Sequence, residues 1–176
     1  SILFLGLIWG GTFMVVAIAL EGYPPLTVAC ARTTLGALTL LLIVRLMGRT
    51  MPTGRAVWGY LVVIGILNTA LPFALLSWGQ QYLPSAFAGI SMAVLPLFVL
   101  PLAHILSDEK MTARKTGGVI LGFVGSAVLI GPTAFDFSEG SLAIPQMACI
   151  GASISYAISS VLTRVCPPID SIVMAA

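Results

Sequence analysis

The sequence predicts an all-α membrane protein, a polytopic bundle of six transmembrane helices followed by the start of a seventh. Hydrophobic residues make up 59% of the chain and charged residues 8%, which leaves too few charges to cover a water-soluble fold. A run of about 20 apolar residues spans a hydrocarbon layer roughly 30 Å thick. Six such runs, separated by short loops, cover residues 2–20, 26–46, 57–78, 85–106, 115–131 and 141–163.

The loops that bound the six runs alternate in charge, and this alternation predicts the topology. The connections at 21–25, 79–84 and 132–140 contain no Lys or Arg. Basic loops of membrane proteins face the cytoplasm, so we expect the first helix to run from the cytoplasm outward. The net charge of +2 is then a topology signal and does not indicate a nucleic acid partner. The basic residues of the other connections are Arg45, Arg49, Arg55, Lys110, Arg114, Lys115 and Arg164.

Both ends of the sequence lie inside apolar patterns. The first six residues already read as helix, and Ile169–Ala176 opens a seventh apolar run. We therefore expect a fragment of a longer chain, whose remaining part would complete the protein, with no signal peptide in the first run. The three cysteines and the single histidine have no metal-ligand spacing and form no disulfide framework, so no metal site is predicted.

Runs one and six share a pattern that indicates an internal repeat. Run one has an aromatic residue followed by small and hydroxyl residues at 9–13, and run six has a similar order at 153–160. An apolar stretch and a Pro-Pro-aliphatic sequence follow in each. Run one ends at an acidic residue and run six at a basic one, so the two units would enter the membrane from opposite sides. Sequence similarity with reversed flanking charge is typical of an inverted-topology repeat.

Short motifs occur in order along the whole chain. They are Trp9-Gly10-Gly11-Thr12-Phe13, Pro25-Leu26 with Arg32, Leu71-Pro72-Phe73, Gln81-Tyr82-Leu83-Pro84-Ser85-Ala86, Pro96-Leu97-Phe98, Asp108-Glu109-Lys110, and Gly117-Gly118 with Gly122 and Gly125. In order, spacing and placement they resemble an EamA-type member of the drug/metabolite transporter superfamily. One departure is Tyr156, which stands where the first repeat has a tryptophan.

The resemblance implies a ten-helix carrier made of two inverted five-helix repeats. Residues 1–131 would form the first repeat, 132–140 an external loop, and 141–176 the truncated start of the second repeat. The location would be the bacterial cytoplasmic (inner) membrane, with the N-terminus in the cytoplasm. The implied partners are the lipid bilayer, a small-molecule solute and the remaining half of the second repeat, and a homodimer is a further alternative.

Six residues are candidates for a central cavity between the repeats. Aromatic rings with scattered hydroxyl and amide groups suit an amphipathic organic solute. Close helix packing is the alternative for the same small and hydroxyl residues, and an interhelical hydrogen bond is the alternative for the amide in run three. The loop residues Gln80 and Gln81 are expected to be solvated. The cavity candidates are Trp9, Thr12, Asn68, Met92, Tyr156 and Ser160.

Four other residues are predicted to have structural or gating roles. Arg32 lies inside an apolar run, where a charge is costly, so it snorkels, pairs or contacts the solute. Pro72 and Pro96 lie within runs three and four, where proline removes a backbone hydrogen bond and can kink a helix. Glu109, in the loop after run four, is expected to pair with neighbouring basic residues.

These features favour a transporter that moves a small organic solute by alternating access. The resemblance implies export, and it implies a metabolite, an amino acid or a drug-like compound as the solute. The alternative is a channel-like or scaffold membrane protein without active transport. An enzyme is not expected, because the serine-rich stretch at 151–155 has no base within reach. No cofactor is expected either, since no glycine-rich phosphate loop with a lysine is present.

Overall fold

The computed structural model describes residues 2–106, 112–130 and 142–176, and within these ranges the regular structure is entirely helical. A π-helical turn, Ile66–Ala70, joins the third and fourth helices. The helices are α1 (Ile2–Leu20), α2 (Pro25–Leu46), α3 (Arg55–Gly65), α4 (Leu71–Gly79), α5 (Ser85–Ala93), α6 (Leu95–Leu106), α7 (Ala113–Ile130), α8 (Ala143–Val165) and α9 (Ser171–Ala175).

The described residues of every predicted apolar run lie on helix, apart from the break at Val94 and the N-cap residue Leu142. Run three is divided into α3, the π turn and α4, and run four into α5 and α6. Among the described residues, four segments are long and apolar enough to cross a membrane, namely Pro25–Leu46, Arg55–Gly79, Ser85–Leu106 and Ala143–Val165. The all-helical class is thereby confirmed, whereas the count of six spans and the ten-helix repeat architecture remain predictions.

Helix α8 is the centre of the packing. Its buried face is made mostly of small residues, which let it lie close to both α4 and α6. The closest approach is at Gly79, where an added Cβ would lie 2.7 Å from the Cys149 sulfur. Large apolar side chains of α1 and α2 are instead exposed, as a lipid-facing surface requires. The core around α8 contains Leu76, Leu83, Ala88, Cys149 and Ala152.

The third run changes to a π turn just before Pro72. The N–H of Leu71 donates to the carbonyl of Ile66, five residues back. In that register the carbonyl of Leu67 would face the Pro72 nitrogen, which carries no hydrogen. The hydroxyl of Ser155, on α8, donates to the Leu67 carbonyl at 2.8 Å. Helix α8 therefore replaces the hydrogen bond that the proline removes.

The fourth run is interrupted at Val94, two residues before Pro96. Proline again removes an N–H from the ladder, so carbonyls at the break need other donors. The carbonyl of Ser91 accepts the N–H of Val94 at 3.3 Å and the hydroxyl of Ser153 at 2.7 Å. Both broken runs are thus tied to α8 by a serine hydroxyl.

An ion pair joins the connection after α2 to the connection before α9. A carboxylate oxygen of Asp170 lies 3.1 Å from the Arg49 guanidinium. The other oxygen accepts the N–H of Ile172 at 3.0 Å and so caps α9. These two connections therefore lie at the same end of the bundle. The predicted topology, with all basic loops on one side of the membrane, requires this arrangement.

Candidate functional site

A cavity of about 400 Å³ lies where α1, α2, the π turn with α4, the break between α5 and α6, and α8 meet. All six predicted cavity residues border it, and Arg32 borders it as well. Use of the cavity by a solute is not tested by this geometry and remains a prediction. The lining residues are Ile8, Trp9, Thr12, Phe13, Arg32, Asn68, Thr69, Phe73, Leu76, Met92, Leu95, Tyr156 and Ser160.

Helix α8 forms one wall of the cavity and holds both broken helices around it. An α-helix turns by about 100° per residue, so the directions of Ser153 and Ser155 around the helix axis enclose an arc of about 160°. Tyr156 and Ser160 point into this arc. The cavity-facing strip is therefore flanked by the hydrogen bond to the π turn on one side and by the bond to the α5–α6 break on the other.

The hydroxyl groups at the cavity can still accept hydrogen bonds. Thr12 donates to the carbonyl of Ile8 at 2.8 Å, and Ser160 donates to the carbonyl of Tyr156 at 2.8 Å. Each hydroxyl hydrogen is thus used within its own helix, while the oxygen lone pairs remain. Trp9 keeps 56% of its surface exposed, so close packing within this chain does not account for its position.

Arg32 lies against an aromatic ring in the cavity wall. Its guanidinium carbon is 4.1 Å from the centre of the Phe73 ring, which is a cation–π geometry. The side chain is half-buried and also borders a second cavity, of about 870 Å³, between α2, α3 and α9. Three more residues border both cavities, namely Asn68, Thr69 and Phe73. Together with Arg32 they separate the two cavities.

Sequence reasoning missed two of the cavity residues that surround Arg32. Thr69 follows Asn68 directly, and a second polar residue in the middle of an apolar run was a usable signal. Phe73 follows Pro72 in one of the recognised motifs, but a phenylalanine in an apolar run gives no sign that it will meet a cation. Pro72 and Pro96 lie beside the two breaks, and Glu109 lies outside the described residues.

The prediction that Gln80 is a solvated loop residue is wrong. Its exposed fraction is 8%, and its side-chain amide nitrogen donates to the carbonyl of Phe13 at 3.0 Å. The amide therefore ties the α4–α5 connection to α1, near the cavity. Gln81, its neighbour, is exposed as expected. Within the described residues there is no group of three or more His, Cys, Asp or Glu that could hold a metal ion.

Several known proteins of similar sequence are named as transporters. Residues 1–131 match the family described as "EamA-like transporter family". The chain is 30% identical over 174 residues to "Uncharacterized transporter YvbV" of Bacillus subtilis (strain 168), covering 98% of this chain and 56% of that protein. It is 23% identical over 158 residues to "Uncharacterized transporter YoaV" of the same strain, covering 90% of this chain and 54% of that protein.

A third relative carries a more specific name. The chain is 25% identical over 121 residues to a "Probable terminal-alkyne amino-acid exporter" of Streptantibioticus cattleyicolor, covering 69% of this chain and 40% of that protein. This chain thus spans about half the length of the curated relatives it matches. No solved structure matches it significantly.

Proposed function

We propose that this chain, which belongs to the EamA-like transporter family, carries a small organic solute across the membrane through the 400 Å³ cavity. The observation that supports this proposal is the convergence of aromatic, hydroxyl and amide side chains from five parts of the fold on one cavity. Such a lining, mostly apolar with a few polar groups, is typical of sites for small organic ligands. The solute class is a metabolite, an amino acid or a drug-like compound.

The mechanism that we propose is export by alternating access. The cavity lies beside two interrupted helices, and carriers commonly place their solute sites at discontinuous helices. Halves of a broken helix can tilt separately, which lets a cavity open first to one side and then to the other. The similar protein named as an amino-acid exporter supports the outward direction. A channel-like protein is the alternative, and it would show flux without saturable counterflow.

A transport screen in vesicles tests this function, with the full-length protein that carries this sequence. Candidate solutes are supplied with and without a pH gradient. Asn68→Ala is expected to lower transport about fivefold, since one lost hydrogen bond is worth about 1 kcal/mol. Trp9→Ala is expected to change the order of preference among solutes, because it removes an aromatic surface of the cavity. Initial rates and expression level are both measured.

Matched controls come from exposed positions on α2 outside both cavities. Thr39→Ala removes a polar group whose hydroxyl bonds only within its own helix, and Leu38→Ala removes an apolar side chain that is 59% exposed. Both should transport at the unmodified rate. Normal transport by Asn68→Ala and Trp9→Ala would show that the cavity assignment is wrong, even with the family established.

We also propose that the basic loops and the N-terminus face the cytoplasm of a bacterial inner membrane. In a background without native cysteines, Arg49→Cys and Thr112→Cys are expected to resist a membrane-impermeant thiol reagent in intact cells. Gly22→Cys, in a loop without Lys or Arg, is expected to be labelled. Lysed cells provide the control for reactivity. Labelling of position 49 or 112 from outside intact cells would contradict this topology.

A further inference from the structure

Arg32 provides a fixed positive charge in the cavity wall. It lies seven residues after Pro25, where α2 begins, which places it roughly 10 Å along the helix axis. The Phe73 ring lies against the guanidinium face, leaving its N–H groups directed outward around the edge. Among the described residues that line the cavity, Arg32 is the only charged one.

The described part of the chain offers this charge no counter-ion. Asp170 is already paired with Arg49, and no ion pair joins Glu21 to Arg32. The hydrogen bonds of the described residues do not include the Arg32 guanidinium, whose contact there is the Phe73 ring. A cation held away from bulk water without an anion is costly. An anion that enters the cavity would offset that cost.

The groups beside Arg32 suit an anionic head with an apolar body. The Asn68 amide, the Thr69 hydroxyl and the Tyr156 hydroxyl border the same cavity and can donate hydrogen bonds to an oxyanion. On the α1 and α5–α6 sides the lining is apolar or aromatic apart from Thr12, with Trp9 and Met92 as examples. The charge and the apolar surface thus occupy different parts of one cavity.

We propose that the cavity selects amphipathic organic oxyanions, with the carboxylate or phosphate group bound at Arg32 and the apolar body against Trp9 and Met92. This proposal rests on the proposed function, because it names the class of solute for the same cavity. A lipid phosphate could supply the same oxyanion from the membrane, and the experiment separates that source from a free solute.

The experiment measures binding by calorimetry to the full-length protein in phosphatidylcholine nanodiscs. Three probes share one skeleton and differ in charge: 3-phenylpropionate, 3-phenylpropionamide and 3-phenylpropylammonium. The anion is expected to bind about tenfold tighter than the other two, as charge-assisted hydrogen bonds predict. Arg32→Gln should remove that preference, Arg32→Lys should retain part of it, and Arg49→Gln should leave it unchanged.

The outcomes distinguish the proposal from its rivals. Equal affinity for the three probes, absent binding of the anion, or an unchanged preference in Arg32→Gln would overturn it. The probe series on the unmodified protein decides the matter even if Arg32→Gln does not fold. Loss of anion binding in phosphatidylglycerol nanodiscs would assign Arg32 to lipid and overturn the solute assignment.

Transport in vesicles is measured in parallel, so that the two proposals fail separately. One possible result is saturable transport of neutral or cationic solutes, at equal rates in the unmodified protein and in Arg32→Gln. This result would support the transport function and overturn the anion selectivity. Arg32-dependent binding of the anion without transport of any solute would support the oxyanion site and overturn the transport function.

Discussion

Replacing Gly79 by alanine is expected to lower the free energy of unfolding by about 1–3 kcal/mol, the usual cost of overpacking a tight contact. Gly79 ends α4 at its contact with α8. A Cβ there would lie 2.7 Å from the Cys149 sulfur and 3.2 Å from the carbonyl oxygen of Pro145. The sulfur is on a fully buried side chain, where packing restricts its rotation, and the carbonyl is α8 backbone, which cannot move without shifting α8. Unfolding is measured by detergent titration in mixed micelles.

Two further variants identify the cause of this loss. Adding Cys149→Ala to Gly79→Ala should recover part of the stability, since it removes the nearer atom and leaves the Pro145 carbonyl. Gly122→Ala is the matched control, because the atoms that its Cβ would meet belong to the end of the Leu97 side chain and not to backbone. Wild-type stability of Gly79→Ala, or no recovery in the double variant, would contradict the packing argument.

Apolar length alone predicted the positions of the helices. Run two, predicted over 26–46, corresponds to α2 at Pro25–Leu46. The agreement has a physical cause: in lipid each backbone group must be satisfied within its own segment, so an uninterrupted apolar run has no alternative to helix. The same physical cause predicts where polar residues of the cavity lie. A polar side chain such as Asn68 in the middle of an apolar run is costly against lipid, so a cavity or a helix contact is expected there.

The side-chain donors at the two breaks were beyond sequence reasoning. Pro72 and Pro96 signal that backbone bonds are missing, but not which groups bind the carbonyls nearby. Ser155, 88 positions from Leu67, donates to the carbonyl that faces Pro72, and Ser153, 62 positions from Ser91, adds a second hydrogen bond at the break before Pro96. The prediction for Gln80 was wrong for the same reason, since its hydrogen-bond partner lies 67 positions away on α1. Local patterns carry no information on such distant pairs.

Replacing Ser155 by alanine is expected to lower transport about tenfold. The partly buried carbonyl of Leu67 would lose its side-chain donor. An unsatisfied buried group costs about 1–3 kcal/mol, and 1.4 kcal/mol corresponds to about tenfold in an equilibrium. The expected response is a shift of the π turn toward regular helix, which redirects Asn68 and Thr69 away from the cavity. Initial rates in vesicles, with thermal stability measured on the same preparations, check this expectation.

The control for Ser155 lies on the same helix. Ser159 is also buried, and its hydroxyl has no hydrogen-bond partner among the described residues, so Ser159→Ala removes the same atom without removing a bond. It should transport normally. Ser155→Thr keeps the hydroxyl and should restore part of the rate. Equal losses in Ser155→Ala and Ser159→Ala would mean that α8 tolerates no substitution here, and the hydrogen bond would not be the cause.

A double-mutant cycle shows whether Ser155 acts through the amide that it positions. If the Ser155 hydroxyl acts by holding the π turn, its effect on the solute depends mainly on the Asn68 amide, which Asn68→Ala already removes. Ser155→Ala should therefore add little to Asn68→Ala, although each alone lowers transport. Additive losses would mean that Ser155 affects transport by another route, such as the packing of α8 on α4. Non-additive losses would link a hydroxyl in the core of α8 to the amide at the cavity surface through one backbone carbonyl.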